Sequence, residues 1–317
     1  MKKLNHTVGI DIGGTSIKWG LVSEEGQVIG KNSVPTKKFG TFVEFADEMS
    51  ANITELLKTY PDIQVSAIGI GAPNGNQHTG CIENPVNIPW KGISPATELF
   101  TKKLNLPVGL TNDANAFAIG EKIFGKAKKM NDFVMLTLGT GLGSGIFTNG
   151  KLLIGKTGMA GELGHVTAIP DGRKCTCGRY GCLEEYVSAR GIKSNAKQIS
   201  ENENIELDER FFRNGDLSLE KISELSAQND QFAQHILRYS GKILGMAIAD
   251  FYAVFSPEAI FIAGGISNID KVFFDSAKEN AQKYSLNFYK NDINIIKSEL
   301  GSDTAGILGA AALAFSM

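Results

Sequence analysis

A chain of 317 residues, 42% hydrophobic and 21% charged, has an ordinary globular composition with enough apolar residues for a large core, and its length favours two domains over one. Its formal net charge of −2 gives no electrostatic footprint for nucleic acid or an anionic membrane, so neither is an expected partner. The opening MKKLNHTVGIDIGG has no apolar signal-peptide core and the apolar tail from Ala305 to Met317 is too short to span a bilayer, so a cytoplasmic location is expected.

Alternating hydrophobicity predicts a strand over 7–12 that stops at Gly13-Gly14, a second over 17–22 and, after Glu24-Glu25-Gly26, a third over 28–33. Over 41–60, Phe42, Phe45, Met49, Ile53, Leu56 and Leu57 recur at helical spacing, so an amphipathic helix should cover that meander. A short buried strand over 67–71 runs to Ala72-Pro73 and a loop rich in Asn, Gly and Pro that extends through Trp90. Another short strand, 108–111, leads to Asn112-Asp113, which opens a helix over 114–124.

The opening pattern then repeats: a strand over 133–138, a glycine turn over 139–143, a strand over 144–148, the hairpin turn Asn149-Gly150 and a strand over 151–154. Two such meanders point to a duplicated fold. Beyond the cysteines the chain reads as helical and polar, with a charged surface excursion over 200–216, a long core helix over 232–255, and a buried strand over 259–263 that meets Gly264-Gly265. The apolar run 305–315 closes the chain as a helix, and no low-complexity linker separates the domains.

Three constellations carry chemistry. In Asp11-Ile12-Gly13-Gly14-Thr15 a carboxylate precedes a bend without side chains, so backbone N–H groups can approach phosphate oxygens and Asp11 can hold a hydrated magnesium ion. The plainer alternative is a hairpin with an acid at its edge. In Leu138-Gly139-Thr140-Gly141-Leu142-Gly143-Ser144-Gly145 glycine stands at alternate positions. Neither turn is a Rossmann fingerprint, which needs a following helix, and no Gly-Lys-Ser/Thr marks a P-loop. Two hairpin turns gripping one polyphosphate from both sides would make an ATPase clamp.

The third constellation is metal-like. Cys175, Cys177 and Cys182 group with His165 while Cys81 stands apart without an assigned role. One nitrogen and three sulfurs form a closed tetrahedral set suited to zinc, and closed coordination argues for a structural ion. Asp113, where a strand ends and a helix begins, is placed as a reacting carboxylate or as a helix N-cap.

Together Asp11 to Thr15, Gly139 to Gly145, Ala160-Gly161-Glu162-Leu163-Gly164-His165, the run Cys175-x-Cys177-Gly178-x-x-Gly181-Cys182-Leu183-Glu184 and Gly264-Gly265 resemble the ROK family of sugar kinases, within the actin-like, sugar kinase and heat-shock ATPase superfamily. The resemblance spans nearly the whole chain, and the metal run is its most specific part. It implies an α/β, two-lobed actin-like (ribonuclease H-like) ATPase fold with a duplicated β-meander and a cleft between lobes. The small lobe would comprise 1–116 plus 304–317, and the large lobe 117–303.

The resemblance also implies site roles. Asp113 is the general base and a sugar contact, with Asn112, Glu162, His165 and Glu184 as further sugar ligands. Asp11, Gly13, Gly14, Thr15, Lys18, Gly139, Thr140, Gly141 and Gly143 would hold ATP and Mg2+, with Gly264 and Gly265 on the adenine side. Structural Zn2+ would sit on His165, Cys175, Cys177 and Cys182. Two features read more plainly: Lys18 as a solvated surface lysine, where the alternative is phosphate neutralisation, and Pro89-Trp90 as packing, where the alternative is a wall of the sugar pocket; Gly264-Gly265 fits the family's adenine-side loop, with a plain strand-to-helix turn as the alternative. Asn74-Gly75 departs from the family, many of whose members have glycine directly after the proline.

The expected reaction is ATP-dependent phosphorylation of glucose at its 6-hydroxyl. An N-acetylhexosamine (N-acetylglucosamine or N-acetylmannosamine) or another hexose is the alternative substrate. A sugar-responsive ROK repressor without its DNA-binding domain is a remote alternative, since repressors carry a helix-turn-helix before the first glycine turn and only about six residues precede the first strand here. The expected assembly is a homodimer or a dimer of dimers.

Overall fold

The structure, a computed structural model, describes residues 5–85, 88–301 and 303–317; Lys2, Lys3 and part of the predicted loop that runs through Trp90 lie outside the described residues. The chain opens with strands β1 (His6–Ile12), β2 (Ser16–Ser23) and β3 (Val28–Pro35). Helix α1 (Phe42–Thr59) starts at a reciprocal cap: Thr41 Oγ1 accepts the Glu44 N–H at 3.2 Å and the Glu44 carboxylate accepts the Thr41 N–H at 3.0 Å. Strand β4 (Val65–Ala72), the short β5 (Gly75–Asn76), β6 (Cys81–Glu83) and β7 (Ile93–Ser94), helix α2 (Ala96–Leu104), strand β8 (Val108–Asn112) and helix α3 (Asp113–Ile123) follow.

The second half repeats the plan with β9 (Phe133–Leu138), β10 (Leu142–Thr148) and β11 (Lys151–Leu152). Next come α4 (Glu184–Val187), α5 (Ala189–Glu203), the hairpin β12 (Phe212–Arg213) and β13 (Asp216–Leu217), α6 (Leu219–Ala227) and α7 (Gln231–Phe255). The chain ends with β14 (Ala259–Ala263), α8 (Val272–Tyr284), β15 (Ile295–Lys297) and α9 (Ala305–Phe315).

The duplication is explicit in the sheets. One has the order β3-β2-β1-β4-β8 and the other β11-β10-β9-β14-β15. In the first, β1 pairs antiparallel with β2 and parallel with β4, and β4 pairs parallel with β8. In the second, β10 and β11 are antiparallel while β9, β14 and β15 run parallel. This is the duplicated meander of an actin-like α/β fold.

The chain divides into two compact units. Unit 1 comprises Met1–Asn131, Gly145–Gly161 and Ser298–Met317. Its core gathers the inward side chains of the first sheet and α1. Trp90 belongs to it, 4% exposed and stacked on Phe45 with ring centroids 5.1 Å apart, so packing explains this aromatic. Helix α9 is buried from Ala305 through Ala314, as expected of a helix apolar all round. It lies so close to β4 that a Cβ on Gly69 would stand 1.7 Å from the Ala310 carbonyl oxygen. After Pro73, Asn74 takes a left-handed backbone (φ 54°) and its side-chain amide donates to the Glu83 carbonyl at 2.9 Å, which fixes the β5–β6 turn.

Unit 2 comprises Asp132–Ser144 and Glu162–Lys297. Strand β14 is buried throughout, and the 25-residue α7 packs along α8. The segment predicted as a surface excursion is more structured than its charge suggests. Helix α5 extends through Glu203, and β12 and β13 pair around Asn214-Gly215, whose φ angles of 52° and 84° suit a two-residue hairpin turn. Phe211 and Leu217, both buried, anchor it. The strand predicted over 144–148 begins at Leu142, and the one predicted over 151–154 is confined to Lys151–Leu152. Among the described residues, no helix is long and apolar enough to cross a membrane.

Candidate active site

Unit 1 carries two of the predicted site acids, Asp11 and Asp113. Parallel strand β8 ends at Asn112, whose side-chain oxygen accepts the Ala114 N–H at 2.9 Å and so caps α3. Capping therefore falls to Asn112, and Asp113 is the first helical residue. The Asp113 carboxylate, half-buried, also accepts the Ala114 N–H at 2.9 Å. Burial pushes its pKa up, against the lowering effect of that N–H and of its own. Asp11, at the end of β1, is pushed up to about 6, first by burial and then by the negative charge of Asp113, with Lys18 acting in opposition.

The first glycine turn is held from behind. The Gly13 N–H donates to the Ser16 carbonyl at 3.0 Å, Thr36 Oγ1 donates to the Gly13 carbonyl at 2.6 Å, and the Thr36 N–H donates to the Thr15 carbonyl at 3.0 Å. Gly14 and Thr15 are exposed. Lys18 reaches Asp303 at 3.3 Å, and Lys31 pairs with the same carboxylate.

Unit 2 carries the second glycine turn. Its Gly139 N–H donates to the Gly141 carbonyl at 3.0 Å, and the Gly139 carbonyl accepts the Ala189 N–H at 2.9 Å from the start of α5. The Leu142 N–H donates to Glu184 Oε2 at 2.8 Å, and Gly143 is the second residue of β10. A cavity of about 720 Å3 is lined by Gly139 and Thr140 together with Gly265 of the turn after β14, and by Lys193, Arg213 and Glu220. The Ser218 hydroxyl donates to Glu220 at 2.7 Å and, with the charges of Arg213 and Lys193, holds the Glu220 carboxyl below its ordinary value. The sequence reading missed these three charged residues. Arg213 sits on a two-residue strand that carries no periodic signal, and Lys193 on α5 and Glu220 on α6 look like any solvated charges on helices.

The four predicted metal ligands come together. One ligand atom each from His165, Cys175, Cys177 and Cys182 lies within 4.8 Å of the others. His165 Nδ1 stands 3.6 Å from Cys175 Sγ, and Cys177 Sγ stands 3.6 Å from Cys182 Sγ. Tetrahedral zinc with Zn–S of about 2.3 Å and Zn–N of about 2.0 Å spaces its ligands by roughly 3.5 to 3.8 Å, so the donor set fits that ion. Burial and then the neighbouring Cys177 and Cys175 push Cys182 up to about 12. Hydrogen bonds from the Cys175 N–H to the Arg179 carbonyl (2.8 Å) and from the Gly178 N–H to the Cys175 carbonyl (3.0 Å) shape the loop. Cys81 lies in unit 1, apart from this group.

Glu162 precedes the short turn that holds His165, and the Leu163 N–H beside it donates to Ser144 Oγ at 3.1 Å. Glu184 follows Cys182 by two residues and is nearly buried, its Oε1 accepting from Arg190 at 3.1 Å.

A sequence model of the ROK family matches residues 7–316. The chain is 34% identical over 309 residues to a glucokinase of Halalkalibacterium halodurans, covering 95% of this chain and 92% of that protein. It is 34% identical over 311 residues to a glucokinase of Thermotoga maritima, covering 96% of each. A crystal structure of a ROK family glucokinase from Streptomyces griseus in complex with glucose and AMPPNP matches with a TM-score of 0.80 and 32% identity, over 98% of this chain and 100% of that one.

Proposed function

The chain belongs to the ROK family, and we propose that it is an ATP-dependent sugar kinase that phosphorylates glucose at its 6-hydroxyl. The observation that carries the chemistry is the pair Asn112 and Asp113. Because Asn112 caps α3, the Asp113 carboxylate stands at the end of a parallel strand with a pKa raised by burial. A carboxylate whose pKa is raised in this way is a stronger base than an ordinary one and accepts the hydroxyl proton better. Glucose is favoured because both relatives described above are glucokinases.

In this reading Asn112, Asp113, Glu162, Glu184 and the Nε2 of His165 hold the sugar hydroxyls. The His165 ring is fixed by its Nδ1 facing the sulfurs. Two acceptor positions of Glu184 are taken by Leu142 and Arg190, and a carboxylate has about four, so it retains capacity for hydroxyl donors. The adenosine lies in the cavity between Thr140 and Gly265, and N–H groups of the two glycine turns meet the phosphates. Magnesium bound with the nucleotide near Asp11 supplies charge neutralisation, and zinc held by His165, Cys175, Cys177 and Cys182 supplies rigidity. Self-association as a homodimer or a dimer of dimers belongs to this reading.

A coupled ADP-release assay across glucose, mannose, fructose, N-acetylglucosamine and N-acetylmannosamine tests the proposal. The highest kcat/KM is expected with glucose. A higher value with an N-acetylhexosamine overturns the substrate assignment, and no release with any sugar overturns the kinase reading.

A further inference from the structure

The segment after the metal ligands poses an electrostatic problem. Glu184 and Glu185 are adjacent acids whose side chains are only 12% and 8% exposed. An oxygen of each and Cys175 Sγ lie within 4.8 Å of one another. Two carboxylates this close and this dry repel one another, and each loses hydration. The Arg190 guanidinium meets both: its Nη2 donates to Glu184 Oε1 at 3.1 Å and also to Glu185 Oε1. Ser188 makes this reach possible by capping α5, accepting the Gly191 N–H at 3.1 Å and so starting the helix one residue after the cap.

The carboxylate held this way is the one that grips the second glycine turn. Glu184 Oε2 accepts the Leu142 N–H, and a Cβ on Gly141 would lie 2.5 Å from that oxygen. Ala189, next to Arg190, donates its N–H to the Gly139 carbonyl. The turn is thus tied at both ends to residues 184–189, and the orientation of one tie depends on Arg190.

We propose that Arg190 is a positioning residue for phosphoryl transfer. By fixing the plane of the Glu184 carboxylate it joins the nucleotide-binding turn to the segment that follows the metal ligands, so one ion pair sets the affinity for both nucleotide and sugar. The inference rests on the sugar-kinase reading: its sugar half on the glucose assignment, and its nucleotide half on nucleotide binding at the second glycine turn, which the Leu142 contact ties to Glu184.

The test uses the full chain with Arg190→Met, Arg190→Lys and Arg190→Ala. Affinity for ADP is measured by calorimetry without sugar, KM and kcat are measured with glucose, and zinc content and Tm are recorded in parallel. Arg190→Met should weaken ADP binding by about tenfold and raise the sugar KM by a similar factor, with a smaller change in kcat. Zinc content should be unchanged, since Arg190 contributes no ligand and is 41% exposed. Arg190→Lys should fall between wild type and Arg190→Met. Millimolar guanidinium, far below denaturing levels, should restore part of the ADP affinity of Arg190→Ala.

Unchanged ADP affinity in Arg190→Met overturns the proposal. Weakened affinity without guanidinium rescue, and with Arg190→Lys no better than Arg190→Met, assigns the effect to lost packing and overturns it too. A wild type that binds ADP but phosphorylates no sugar refutes the glucokinase reading alone, and the ADP measurements still decide the role of Arg190.

Discussion

The negative charge of Asp113 raises the pKa of Asp11: Asp11 lies near the end of β1 and Asp113 directly follows β8, two strands of the same sheet. Burial is the larger cause of the shift, and the charge of Asp113 adds to it.

Asp11 makes stability pH-dependent in a direction opposite to that of a salt-bridged acid. Its folded pKa is about 6 against an ordinary 3.8, so the stability it contributes is full below 3.8 and is lost as pH rises through about 6. At pH 8 the ionised, buried group costs on the order of 3 kcal/mol. Asp11→Asn should therefore raise the Tm of the nucleotide-free protein at pH 8 and leave it nearly unchanged at pH 4. Magnesium should raise the Tm of the wild type more than that of the variant. Calorimetry that finds Asp11→Asn less stable at pH 8 would contradict this account.

Asp113→Asn removes the proton acceptor and nearly preserves its shape. A loss of about 10²- to 10⁴-fold in kcat is expected with an unchanged circular dichroism spectrum. In the wild type, kcat/KM should fall as pH drops through the raised Asp113 pKa, so the acid limb lies above the ordinary carboxylate range. Near-normal turnover by the folded variant would show that the base lies elsewhere.

The sulfur cluster predicts a stoichiometry. Elemental analysis should find about one zinc per chain. Cys177→Ser should lose it together with sugar affinity, because His165 would then lose the ion that orients its ring. Full activity in a metal-free preparation would exclude the structural role.

Gly141→Ala tests the turn directly. The new methyl would stand 2.5 Å from Glu184 Oε2, so either the carboxylate or the turn must move and the Leu142 hydrogen bond is lost. A cost of roughly 1–3 kcal/mol is expected, read as a higher KM for ATP with the fold retained. An unchanged KM would mean that the turn tolerates displacement.

Much of this was legible beforehand because the informative segments are long or chemically distinctive. Both meanders and the helix that opens at Asp113 follow from hydrophobic periods sustained over several residues, interrupted by glycine. The gathering of His165 with Cys175, Cys177 and Cys182 needed only their spacing. The hairpin Phe212–Leu217 escaped because each of its strands has two residues, too few to show a period, and its charges resemble those of a solvated loop. Arg190 escaped for another reason: an ion pair joining α5 to buried acids leaves no mark on local pattern, and only the folded chain shows which carboxylates an arginine meets. Trp90 shows that an aromatic beside a loop gains its role from packing, here against Phe45.

The seating of α9 against β1 and β4 has a consequence for how the protein is made. Thr7 Oγ1 donates to the Ala311 carbonyl at 3.2 Å, so a residue of the first strand is completed by one of the last helix. At a synthesis rate of about 5–20 residues per second, the inner face of the first sheet waits tens of seconds for its cover. Unit 2 has no such dependence, since its chain is complete at Lys297. Nascent chains stalled after Lys297 should therefore show protease-resistant unit 2 and protease-sensitive unit 1, with unit 1 protected only once α9 has left the ribosome. The half of the molecule translated first is the half that matures last, and chaperones that hold exposed sheet surface have their longest opportunity there.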